Sequence, residues 1–262
     1  MRVTRHCGNS LSAFKGSFVK VGMLSFIIPA HNEELWIGKC LGSIHTSMEQ
    51  IRESYEVIVV DDASTDSTPR IAEQMRARVI RVEHRKISAV RNAGARDASG
   101  EIFFFVDADT QVNERAVSTA LAALRAGAAG GGCVFDFDAP TPLWGRLMLS
   151  FGIVAARLIR WAGGCFQFCT REAYNATGGF SESLYAGEDI AFVQALKKVG
   201  RFVVLKPKVV SSGRKLDVVG PWQVIALMFT IALRGARYEN KWILDILYGR
   251  RAQASRKPVK AA

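Results

Sequence analysis

Apolar residues recur along this chain in two rhythms, and the switches between them mark out the elements. The runs LSFIIPA, YEVIVVDD, ARVIRVE and EIFFFVDADT are short and nearly continuous. They read as strands, because a strand covered on both faces has no polar alternation. Glu33 to His45 and Ser88 to Ser99 carry apolar residues at helical spacing. A further helix is expected after STDSTP, where hydroxyls offer caps and Pro69 suits a first helical position. Strands alternating with helices imply βαβ units.

Past Gly130 the alternation weakens. GGGCVFDF reads as another strand, and 142–161 as a helix with Arg146, Ser150, Arg157 and Arg160 along one line. GGFSESLYAGEDIAFVQALKKVG is a loop entering a helix, and RFVVLKPKVV is a last strand. From Pro221 one or two apolar-faced helices carry Arg234, Arg237 and Lys241 on a common side. The expectation is an α/β domain over 23–215, a mostly parallel central sheet flanked by helices, with a C-terminal helical tail at 216–262. Residues 1–22 lack acidic groups and the apolar centre of a secretory signal. We read them as a disordered extension from an upstream start, Met23 standing directly before the first strand. An Arg- and Ser-bearing transit peptide is the alternative.

Composition narrows the class. With 262 residues, 49% hydrophobic and 23% charged, the chain can bury a sizeable core and is not disordered as a whole. No apolar run reaches the ~18 residues of a spanning helix, which excludes a multi-pass membrane protein. Five scattered cysteines without CxxC spacing fit a reducing cytoplasm. The net charge of +11 is uneven: 1–22 carries +4, 201–262 carries +10, and 23–200 carries −3. A nucleic-acid reader would spread its basic residues over a recognition surface. Basic ends beside apolar segments fit an anionic membrane surface instead, so the expected location is cytoplasmic, peripheral on the inner face of the membrane.

In parallel sheets ligands gather at the carboxyl ends of the strands, where Asp61, Asp62, Asp107 and Asp109 fall. Asp107 and Asp109, one residue apart on extended chain, project to one side and can offer oxygens to Mg²⁺ or Mn²⁺. A solvated strand end is the plainer reading. With Asp61 and Asp62 they make a negative crevice suited to a divalent cation and a diphosphate. Arg91 and Asn92 could donate to phosphate or ribose, or Arg91 could be a surface helix charge. Glu188 and Asp189, just after Gly187, are either helix-start caps or a general base with a raised pKa.

Four blocks in order, IIPAHNEE, VVDDASTDST, RNAGA…ASGEIFFFVDADT and GGFSESLYAGED, spread over Leu24 to Ser212. They resemble the motifs of family-2 glycosyltransferases of the Rossmann-like GT-A fold. The resemblance implies a nucleotide-sugar donor, a divalent cation and inversion at the sugar carbon. Pro29, Ala30, His31 and Glu33 would line base and ribose beside Asp61, with Asp62 bonding the base. His31 stands where the family often has Tyr. Arg91 would approach the nucleotide, Asp107 the ribose or metal, and Asp109 the cation. Asp189 would be the base, with Glu188 its neighbour. Ser212, Arg214 and Lys215 of SSGRKL could close over the diphosphate, or form a solvated basic loop. Cys165, Phe166, Phe168 and Cys169 fall where relatives bind acceptor and read as packing. The absent QxxRW motif argues against a processive polymerase. The expected donor is a UDP-sugar and the expected acceptor a hydroxyl, lipid-linked. One rival is a sugar nucleotidyltransferase, against which stands the lack of an early Gly-rich basic loop. The other is a non-catalytic nucleotide-sugar-binding protein, against which stand Asp109 and Asp189.

Overall fold

The computed structural model describes residues 22–138, 154, 160, 162–184 and 187–213. Helix 142–161, Arg214, Lys215 and the tail at 216–262 lie outside the described residues, as do nearly all of 1–22, apart from the two single positions within that helix and Gly22. The four apolar runs form β1 (Leu24–Ala30), β2 (Tyr55–Asp62), β3 (Arg78–Val82) and β4 (Ile102–Val106). Helices α1 (Ile37–Ile51), α2 (Thr68–Gln74), α3 (Ile87–Asp97) and α4 (Glu114–Arg125) follow strands in turn. Later come α5 (Arg171–Thr177) and α6 (Glu188–Val199).

All seven residues of β1 and all five of β4 are buried, and the two layers of helices explain why. Phe26, Ile28, Phe104 and Val106 pack in one cluster with residues of α1, α2 and α4. Ile27, Phe103 and Phe105 point the other way and pack with α3, α5 and α6. Successive strand side chains face opposite sides, so a strand between two helical layers must be apolar throughout. Gly94 lets α3 lie close: a Cβ there would stand 2.5 Å from Ile27 Cγ2 and 2.8 Å from Val60 Cγ2.

The sheet is completed by β5 (Thr110–Gln111), β6 (Gly130–Phe137), β7 (Phe166–Thr170) and β8 (Phe202–Ser211). Its order is β3-β2-β1-β4-β7-β6-β8-β5. The β1–β2, β1–β4, β2–β3 and β6–β8 pairings are parallel. The β4–β7, β6–β7 and β5–β8 pairings are antiparallel. The sheet is therefore mixed, with its parallel part at β3-β2-β1-β4. The hydrophobic pattern announced neither α4 nor β7. Fully buried β7 makes Phe166, Phe168 and Cys169 core residues. Among the described residues no helix is long and apolar enough to cross a membrane.

Candidate active site

The first wall of the site is built from two loops fastened to each other. After β1, Asn32 takes a left-handed φ of 54° and accepts at Oδ1 from the Thr65 amide at 2.8 Å. Its own amide donates to Ser64 Oγ at 2.9 Å. The amides of Glu33 and Glu34 donate to Thr68 Oγ1 and Asp66 Oδ2. His31 donates from Nδ1 to the Asp62 carbonyl at 2.6 Å, which fixes its tautomer because a carbonyl can only accept. Pro29 and Ala30 end β1 beside it, buried, and Glu33 is buried in the turn that follows.

The paired acids at the end of β2 differ in employment. Asp62 Oδ1 accepts from the amides of His84 and Arg85 at 2.7 and 3.1 Å. Asp61 is buried, and its Oδ1 has no hydrogen-bond partner among the described residues. Asp61 thus carries a desolvated acceptor without a partner among the described residues, while Asp62 is held by the loop after β3.

The second wall is the turn after β4. The Asp107 amide donates to the Cys165 carbonyl at 3.1 Å, and Asp107's own carbonyl accepts from Thr110 at 2.9 Å and from Cys40 Sγ at 3.7 Å. Ser212 donates to the Asp109 carbonyl at 3.1 Å. Asp107 and Asp109 both keep partial exposure on this clipped turn. Among the described residues no three His, Cys, Asp or Glu side chains are grouped to hold a metal. Two carboxylates fit Mg²⁺ or Mn²⁺ nonetheless, since such ions commonly take one or two carboxylates and complete their shell with water and phosphate.

Arg91 joins the walls. It is 2% exposed, not a surface helix charge, and donates to Asp107 Oδ1 at 2.8 Å, Glu188 Oε1 at 3.0 Å and the Gly164 carbonyl at 3.3 Å. Burial opposes its charge, but Asp107, Glu188 and Asp189 outweigh this and hold the guanidinium above its ordinary value. A methyl on Gly164 would stand 3.2 Å from both Arg91 Nη2 and Asp189 Oδ2, so these groups flank one residue. Glu188 and Asp189 open α6 behind Gly187, whose φ of 77° suits glycine. Burial raises the carboxyl groups of both, with Arg91 pulling each back only in part. Glu188 is buried, whereas Asp189 keeps part of its surface accessible.

The structure thus brings Arg91, Asp107, Glu188 and Asp189 together and sets Asp109 on the same turn as Asp107. It places His31 and Glu33 on the loop after β1 and Asp61 and Asp62 at the end of β2. Gly164, Phe180 and Glu182 also take part; the GGFSESLYAGED block contains the last two, but none of the three was singled out as a site residue. A cavity of about 520 Å³ lined by Lys39, Ser43, Gln111 and Arg115 lies between α1 and the start of α4 and includes none of these groups.

Acids at the ends of parallel strands, a mixed sheet and paired carboxylates at a helix start match the GT-A glycosyltransferase fold. A mannosyltransferase from Pyrobaculum calidifontis, solved with GDP-Man and Mn²⁺, superposes with a TM-score of 0.61 at 20% identity, over 90% of this chain and 71% of its own. Residues 1–349 of Staphylococcus aureus TarS, solved with UDP, superpose with a TM-score of 0.56 at 21% identity, over 86% and 69%. The model of Glycosyl transferase family 2 matches residues 25–181, and the chain belongs to that family. Glycosyltransferase AglE of Haloferax volcanii is 39% identical over 106 residues, 37% of this chain and 34% of AglE. The matches span between 14% and 34% of the first curated relatives' length.

Proposed function

We propose that this chain is an inverting glycosyltransferase that moves one sugar from a nucleotide-sugar, UDP-linked, to a hydroxyl acceptor. The observation that carries the reading is Arg91, which holds Asp107 and Glu188 on one guanidinium and so sets Asp189 beside the acid turn. Asp61 and the His31 loop would receive base and ribose. Asp109, with Asp107 shared between Arg91 and the ion, would hold Mg²⁺ or Mn²⁺, which when bound supplies positive charge to the leaving diphosphate. Asp189 would take the acceptor's proton, its raised pKa suiting a base that works near neutrality. Attack opposite the leaving diphosphate inverts the sugar carbon, and one base is sufficient for it. Glu188, tied to Arg91, orients the base and leaves the proton to Asp189.

The test is a thermal-shift screen of UDP- and GDP-sugars with and without Mn²⁺, followed by product analysis with hydroxyl acceptors. Metal-dependent stabilisation and release of nucleoside diphosphate support the reading. Release of pyrophosphate would make the chain a nucleotidyltransferase, and binding without turnover a nucleotide-sugar-binding protein.

The acceptor we favour is lipid-linked, on an anionic inner membrane face, because 201–262 carries +10. Deleting 221–262 is expected to reduce co-sedimentation with phosphatidylglycerol vesicles at low salt. Unchanged partitioning would remove the membrane from the proposal.

A further inference from the structure

Arg91 and Asn92 are consecutive on α3, so their side chains diverge by about 100° and reach different elements. Both are buried. Arg91 ends at Glu188, the first residue of α6. Asn92 reaches the start of the same connection: its Nδ2 donates to the Phe180 carbonyl at 2.9 Å and to Glu182 Oε1 at 2.8 Å. Its Oδ1 accepts from Tyr174 Oη at 2.7 Å and from the Phe180 amide at 2.9 Å. Those four bonds use the full capacity of a primary amide, so Asn92 has no hydrogen left for the phosphate or ribose of a donor.

Phe180 is the piece both residues hold. Asn92 bonds its amide and carbonyl, and the Arg91 guanidinium sits 5.2 Å from its ring centre. The ring stacks on Phe192 of α6 at 4.1 Å. The chain arrives there through Gly178 and Gly179, both left-handed at φ 75° and 78°, so its direction depends on what the following residues are fastened to. Lys86 adds a bond to the Glu182 carbonyl.

We infer that Asn92 is a positioning residue for the catalytic base: it fixes the entrance of the connection that delivers Asp189, while Arg91 fixes the exit. The inference rests on the reading of Asp189 as base. A shift at Phe180 would pass through Phe192 to α6 and displace Asp189, while the bond from Arg91 to Asp107 stays in place and none of Asn92's own hydrogen bonds reaches Asp107 or Asp109.

Asn92→Asp tests it, since it keeps size and both accepted bonds. It removes both donated bonds and sets a carboxylate against Glu182. Expected is a fall in kcat of ~10- to 100-fold, the scale of an ångström's misplacement, with the calorimetric Kd for UDP or GDP plus Mn²⁺ held within about 2-fold. Adding Glu182→Gln lets the Gln amide donate to the new carboxylate, and a recovery of about 5-fold or more in kcat is expected. No recovery, or a Kd that weakens in step with kcat, overturns the assignment. Should Asn92→Asp not fold, Glu182→Ala trims the exposed end of the network. It should lower kcat by about 3-fold or more at constant Kd, and wild-type kcat there overturns it. A wild-type chain that transfers no sugar sinks the glycosyltransferase reading alone. Amide exchange over 178–184 then decides the positioning part: it should quicken by about 10-fold in Asn92→Asp and slow again in the double variant, and unchanged exchange refutes it.

Discussion

Arg91 and Glu188 stand 97 positions apart in the chain and 3.0 Å apart in the fold. That pair, with Asp107 on the other nitrogen of the same guanidinium, makes the turn after β4 and the start of α6 one electrostatic unit. Its consequences can be measured separately.

Removing the guanidinium by Arg91→Met leaves Glu188 and Asp107 without their shared cation in a poorly solvated site. Breaking a buried pair from one side costs about 3–5 kcal/mol, to be read from urea unfolding. Arg91→Lys should recover little of it, since one ammonium cannot reproduce a planar fork between two carboxylates.

Asp189→Asn preserves the shape of the α6 start but cannot accept the acceptor's proton. Transfer should fall by ~100-fold or more, while calorimetric affinity for the nucleoside diphosphate stays within about 2-fold. Turnover near wild type would move the base elsewhere.

Asp109→Ala takes one carboxylate from the turn after β4. The strengthening of UDP affinity by Mn²⁺ should disappear, and an unchanged metal dependence in titration calorimetry would refute the cation assignment.

The pH dependence follows from the raised carboxyl groups of Glu188 and Asp189. The folded chain keeps protons that the unfolded chain releases above about pH 4. The stability contributed by this coupled pair is therefore greatest on the acid side and declines as pH rises through the window from ~4 up to the raised folded values. Over that same window kcat/KM should climb, because the base works deprotonated. Urea midpoints at about pH 4.5 and 7 for wild type and Glu188→Gln check the first statement: the variant should lose part of the slope.

The sequence was most informative where one residue answers to its immediate surroundings. β1, β2 and β4 were readable because helices on both faces demand unbroken apolar runs, and the acids that end them were readable with them. The start of α1 was misjudged by four residues. Glu33 to Trp36 have helical amphipathicity but form a turn that runs into the helix, the Trp36 and Ile37 amides both donating to the Glu33 carbonyl. β7 went unseen because FQFCT is five residues long, carries Gln167, and finds its place only by pairing with β4 and β6. Arg91 was visible as a candidate, but its burial depends on partners 16 and 97 positions away. The two-handed grip of Asn92 depends on the same kind of distant contact.

The Asp107–Asp109 turn is clipped from three directions, by Cys40 of α1, by the Cys165 carbonyl ahead of β7 and by Ser212 after β8. A platform held on three sides has little left to order when nucleotide arrives, so little affinity is lost to immobilising it. On the proposed function, exchange of spent nucleotide for a fresh donor would proceed over an unmoving floor.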